Sequence, residues 1–169
     1  MKKTIILSVI TLFTALFACT KEDKESDNTD AKLFDLSKKT DGFVWYKNKS
    51  ELLTKSTGSA HAYPYLRTRY NSQAATMLTE DGKVKENAQF PEGSLIVKEL
   101  LDDNSQLARY AILYKSSNNV NADAKGWVWG YIDADGKVSD PASNKGKSCI
   151  SCHLQSENID YMLMNKFFK

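Results

Sequence analysis

The chain reads as an α+β protein, an antiparallel β-sheet with flanking helices, and three observations point there. Residues 94–101, 109–115 and 126–133 carry the β-branched, aromatic and period-two patterning of strands. The links between them, residues 102–105 and 116–125, are short and polar enough to join antiparallel neighbours. The run Cys149-Ile150-Ser151-Cys152-His153 comes after the strands with only 16 residues behind it, so whatever it binds is packed against the sheet near the C-terminus.

The amino terminus stands apart from that domain. Lys2 and Lys3 precede an apolar run over residues 5–17, too short and too rich in threonine to span a bilayer as a mature helix, so residues 1–18 read as a secretory signal. Leu16-Phe17-Ala18-Cys19 looks like a bacterial lipobox, and acylation of Cys19 would tether the chain to a membrane. The alternative is an ordinary signal with a stray cysteine, which would leave an exported free thiol. Residues 19–31 form an acidic, flexible tether without large apolar side chains. Within it, Lys21-Glu22-Asp23 resembles the short charged signals that carry some lipoproteins to the outer surface. The expected location is therefore exported and lipid-anchored to a bacterial membrane, on the periplasmic or the surface side of the outer membrane. Cleavage removes two of the 23 basic residues and none of the 21 acidic ones, leaving a formally neutral chain with no nucleic-acid signature.

Residues 32–169 have the length of one domain. Phe34, Leu36, Phe43, Val44 and Trp45 supply an amphipathic, helical start, and residues 47–59 are a polar break. Residues 63–70 are aromatic and extended in character, and Asn71-Ser72 caps a short helix through Leu78. Asp81-Gly82 and Pro91-Glu92-Gly93 are turn signals around Phe90. After the three strands, a turn at Gly136 and a loose segment over residues 139–147 lead to the cysteines, and an amphipathic helix over residues 158–168 closes the chain.

The C-x-x-C-H run reads as a covalent c-type haem attachment site, one haem per chain. Cys149 and Cys152 each add across a vinyl group, and His153 is the proximal iron ligand. A zinc half-site would need further ligands from Cys19 and His61, and a redox pair would ordinarily open a helix after a strand. With Cys19 assigned to lipid, no cysteine remains for a disulfide.

Small helical electron-transfer cytochromes carry this motif early, and helix-bundle cytochromes lack aromatic period-two strands. The chain instead resembles the cytochrome P460 family, with its beta-type cytochrome c′ relatives. The resemblance rests on Phe90-Pro91-Glu92-Gly93-Ser94-Leu95-Ile96-Val97-Lys98-Glu99, on Gly126-Trp127-Val128-Trp129-Gly130-Tyr131, and on the cysteine motif followed by Asp160-Tyr161. It implies an exported, often dimeric, sheet-rich monohaem protein with an open distal iron position, binding nitric oxide or oxidising hydroxylamine.

The resemblance also implies residue roles. A lysine matching Lys98 is bonded through its amine to the porphyrin rim in some members. Strand parity puts Lys98 with Ser94, Ile96 and Leu100, and the bond requires that face to be inward; the alternative is an exposed lysine covering apolar surface. An arginine matching Arg67 or Arg69 would point into the distal pocket. Oxidising relatives place a proton-accepting carboxylate in the strand after the Lys-Glu strand, and Tyr110-Ala111-Ile112-Leu113-Tyr114 has none. Glu92 and Glu99 are substitutes, but Glu99 lies opposite Lys98. For a sixth ligand, His61 reads as a surface or strand-start residue, Met77 as helix core, and Met162 and Met164 as proximal packing. That leaves an open iron shielded by Phe90 or a neighbouring aromatic. The expected partners are a small nitrogen ligand or substrate, an exported electron carrier, the membrane through Cys19, and a second copy. A non-catalytic nitric oxide binder and an electron-transfer module are the alternatives.

Overall fold

The computed structural model describes residues 28–169, so the signal and lipidation readings at residues 1–18 and Cys19 lie outside the described residues, as does most of the tether. The elements run α1 (Thr29–Ser37), β1 (Val44–Trp45), a 3-10 turn (Tyr46–Asn48), β2 (Leu53–Thr54), β3 (Tyr65–Tyr70), α2 (Ser72–Ala75), β4 (Leu95–Leu101), β5 (Leu107–Lys115), β6 (Trp127–Asp133), β7 (Val138–Asp140), a second 3-10 turn (Ala142–Asn144), α3 (Ile150–His153) and α4 (Met164–Phe167). The strands form one antiparallel sheet in the order β1-β3-β4-β5-β6-β7, with β2 also on β3. Among the described residues no helix is long and apolar enough to cross a membrane.

The sheet is covered on both faces, so its central strands read as near-continuous apolar runs. On one face Leu95, Val97, Ile112, Val128 and Ile132 pack under Leu33 of α1. Burying Leu33 contributes about 2 kcal/mol, and Gly130 permits the approach: a Cβ there would lie 2.9 Å from Leu33 Cδ1. On the other face Leu66, Ile96, Leu100, Leu113, Trp127 and Trp129 pack against Tyr161, Met162 and Met164 of the C-terminal segment. The strand parity expected for Lys98 is therefore the parity observed, with Ile96 and Leu100 beside it and Glu99 opposite.

Local signals explain several joints. Asn71 caps α2 by accepting from the Ala74 N–H at 2.9 Å, and it also accepts from the Leu95 N–H at 2.9 Å and donates to the Gly93 carbonyl at 2.8 Å. One side chain thus ties β3, α2 and the start of β4. The amphipathic start divides differently from the expectation: α1 begins at Thr29, inside the expected tether, and Val44–Trp45 is a strand on β3. The loose segment before the cysteines begins within β7 and contains a 3-10 turn.

The expected closing helix over residues 158–168 is reduced to α4. Asp160 and Tyr161 sit at φ 46° and 72°, and a bridge between Ile159 and Met162 reverses the chain. Such left-handed residues cost roughly 1–3 kcal/mol each, and buried hydrogen bonds offset this. Asp160 accepts from Trp127 Nε1 and from the Phe90 N–H, both at 3.1 Å. Tertiary bonding to a buried carboxylate overrides the helical pattern.

Candidate functional site

A cavity of about 240 Å³ lies between the Lys98 face of the sheet, the segment joining β2 to β3, and the C-terminal segment, and its lining is mostly apolar. Cys149, Cys152 and His153 all reach it. They do so because α3 is a single helical turn, closed by the His153 N–H donating to the Cys149 carbonyl at 3.1 Å. Positions i, i+3 and i+4 share one helix face, so the C-x-x-C-H spacing aims both thiols and the imidazole the same way.

His153 is held from two sides. Its Nδ1 lies 2.7 Å from the Tyr161 carbonyl oxygen, and Trp129 meets the ring edge-on with centroids 5.2 Å apart. A carbonyl only accepts, so Nδ1 carries the hydrogen and Nε2 the lone pair. Imidazoles that ligate metals are held this way, with the other nitrogen donating to a carbonyl or carboxylate. Burial, then the charge of Lys98, push the imidazole down to about 4 against the opposing Tyr161 hydrogen bond. The ring is consequently neutral at neutral pH, as ligation requires. The strained turn at Asp160 and Tyr161 is what delivers that carbonyl.

Trp129 is in turn fixed by donating to Asp123 at 2.9 Å. Gly146, at φ 70°, lets the chain pass the indole, since a Cβ there would lie 2.6 Å from its ring. Neither contact is readable from local sequence, although the aromatic run over residues 127–131 marks the strand involved.

The residues present fit a covalently held haem: an apolar cavity, two thiols and an imidazole with an oriented lone pair converge there. Burial raises the Cys149 thiol above its ordinary range. Among the described residues no three His, Cys, Asp or Glu side chains form a cluster able to hold a metal ion by themselves.

Lys98 lines the cavity. Burial pulls its ammonium down to about 8, with Cys152 opposing, which leaves a larger fraction of free amine than an exposed lysine has.

Arg67 and Arg69 correct the expectation of a distal arginine. Both lie on the sheet face opposite the cavity and ion-pair with Glu99, while Arg69 also donates to the Ser37 carbonyl and sits over Phe43 and Trp45. The reason is parity: in β3, Leu66 and Thr68 face the cavity, so Arg67 and Arg69 face away. Glu99 is thereby structural. Phe90 is likewise displaced from its expected shielding role, stacked on Tyr70 at 6.4 Å and edge-on to Trp127 at 5.8 Å in the core. Met77 packs against the same core, as expected. Met162 and Met164 line the cavity together with His153, and Thr68 donates to Met164 Sδ at 3.4 Å.

Three cavity residues escaped sequence reasoning. His61, read as a surface residue, lines the cavity beside Lys98; burial, then Lys98, His153 and Lys55, hold its imidazole far below the ordinary range. Its one signal was being the only histidine outside the motif. Asp140 supplies from β7 a carboxylate that β5 lacks, where it accepts from Asn144 at 2.6 Å and from Ser148. Ser56 completes the set. Nothing local marks the last two.

A family model described as Cytochrome P460 matches residues 44–164. No curated protein matches the chain, and no solved structure does.

Proposed function

This chain belongs to the cytochrome P460 family, and from that premise we propose that it is an exported monohaem c-type cytochrome whose open cavity binds or oxidises small nitrogen compounds such as hydroxylamine and nitric oxide. Family membership implies the haem. The observation that carries it is the single turn of α3, which aims Cys149, Cys152 and His153 into one apolar cavity while Tyr161 takes the Nδ1 hydrogen.

When bound, the haem supplies an iron centre that takes a small ligand and exchanges electrons. Cys149 and Cys152 would hold it through thioether bonds. His153 would provide Nε2 as the donor to the iron, with Trp129 and the Tyr161 carbonyl limiting ring rotation. The apolar walls exclude bulk water and strengthen polar contacts inside. Lys98, which lines the cavity and whose ammonium is pulled down to about 8, would attach to the macrocycle rim. Electrons pass to or from an exported carrier, the chain is tethered through an acylated Cys19, and two copies associate as family relatives often do.

A non-catalytic nitric oxide binder is the second reading, favoured by the absence of a carboxylate from the cavity face of β5; Asp140 weighs against it. An electron-transfer module is the third. Mass analysis of the peptide spanning residues 149–153 and optical spectra of ferric and ferrous holoprotein, with and without nitric oxide, test all three. The expected result is haem mass on that peptide and spectra that change on adding nitric oxide. A peptide without haem ends the proposal, and a low-spin spectrum indifferent to nitric oxide leaves only electron transfer.

A further inference from the structure

The polar side chains of this mostly apolar cavity include a group on one wall. Ser56 and His61 come from the segment between β2 and β3, and Lys98 from β4. Lys98 Nζ lies 3.5 Å from His61 Nε2, and His61 Nδ1 lies 3.4 Å from the Tyr131 hydroxyl. Tyr131 is itself anchored: the Arg109 guanidinium lies 4.6 Å from its ring centre, and Arg109 ion-pairs with Asp133. Lys55 Nζ donates to the His61 carbonyl at 2.9 Å, which ties down the backbone of the same segment.

Two further observations point to a ligand. The Ser56 hydroxyl is buried at the cavity with no hydrogen-bond partner among the described residues, so it is left to bond whatever occupies the cavity. An ammonium only donates, so Lys98 faces the lone pair of His61 Nε2 and the imidazole hydrogen sits on Nδ1 facing Tyr131; at 3.5 Å the Lys98 contact is longer than an ordinary hydrogen bond, so a ligand N–H or O–H can take that lone pair in its place. The wall therefore presents a donor, a hydroxyl that does both, and an acceptor. A ligand carrying N–H or O–H groups matches that set, whereas a diatomic without hydrogens leaves the acceptor unused.

We propose that His61, oriented by Tyr131 and Arg109, is the residue that accepts a hydrogen bond from the N–H or O–H of a nitrogen ligand in the cavity, in the place for which β5 offers no carboxylate. This rests on the reading that the cavity binds small nitrogen ligands. Burial keeps the imidazole neutral and hence an acceptor at neutral pH.

The test titrates ferric holoprotein with methoxyamine, which keeps the N–H groups of hydroxylamine, and with nitric oxide, which has none. His61→Leu weakens methoxyamine binding about tenfold, the scale of one hydrogen bond, and leaves nitric oxide affinity within about twofold at unchanged haem content. His61→Gln, whose amide oxygen still accepts, recovers most of the loss. Tyr131→Phe weakens methoxyamine binding by a smaller factor, about threefold, because it acts only through imidazole orientation. Equal losses for both ligands, or none for either in His61→Leu, overturn the assignment while the open-cavity reading stands. Wild-type protein that binds neither ligand defeats that reading and the assignment with it. Should His61→Leu fail to fold, Tyr131→Phe and His61→Gln make the same discrimination.

Discussion

Replacing Glu99 by Ala removes the one carboxylate that pairs with Arg67 and Arg69 beneath the sheet. Arg69 is 1% exposed and Arg67 is 34% exposed in their side chains, so the cost falls almost entirely on Arg69. It keeps the Ser37 carbonyl, and a weaker contact to the Lys39 carbonyl at 3.3 Å, but loses its only counter-charge among the described residues. Breaking a buried ion pair from one side costs about 3–5 kcal/mol. For a domain of this size, that corresponds to a melting point lower by roughly 6–20 °C, at about 2–4 °C per kcal/mol. Arg69→Ala costs less than Glu99→Ala because Glu99 retains Arg67, and Arg67→Ala, at the solvent edge, costs about 1 kcal/mol or less. Urea denaturation of holoprotein at a common slope gives the three values, and nitric oxide titration of the folded variants supplies the second axis. The expected order is Glu99, then Arg69, then Arg67, with ligand binding unchanged throughout. An Arg69→Ala protein of wild-type stability and altered ligand spectrum would refute the placement of these arginines on the non-cavity face.

Three further outcomes follow from the same contacts. Asp160→Ala leaves the Trp127 indole and Phe90 amide donors buried and unpaired, costing roughly 2–5 kcal/mol in urea denaturation and lowering the yield of haem-loaded protein through the loosened Tyr161 carbonyl. Gly146→Ala places a methyl group against Trp129 at a left-handed backbone position, destabilising by about 1–3 kcal/mol, and Gly146→Ala holoprotein as stable as wild type would contradict the close approach. Arg109, through its hydrogen bond first, holds the Asp133 carboxyl below its ordinary range. A depressed carboxylate contributes stability above its unfolded value, about pH 4, and loses it as pH falls through the folded one. Asp133→Asn should therefore flatten that part of the acid limb of a stability against pH curve, and an unchanged limb would count against the pair.

Regular patterning was legible because it is local. The β4, β5 and β6 strands carry their own period, Asn71 its own cap, and Cys149, Cys152 and His153 their own helical spacing. Lys98 could be assigned a face by parity, and the same parity, applied to β3, would have separated Arg67 and Arg69 from the cavity had the inward residues Leu66 and Thr68 been identified first. The closing segment misled because Ile159, Met162, Leu163 and Phe167 suit a helix, while the decisive partners of Asp160 lie 33 and 70 residues away.

By itself, then, the sequence determined an antiparallel sheet, a late C-x-x-C-H turn and a likeness to the cytochrome P460 family, since each depends on neighbours along the chain. Only the tertiary structure decided which polar groups share the cavity. His61 and Asp140 enter it from β-sheet connections and edges, Arg67 and Arg69 are withdrawn by Glu99, and the Tyr161 carbonyl is brought to His153 by a strained turn. Those outcomes turn on long-range burial and hydrogen bonding, which strand and helix periods do not encode.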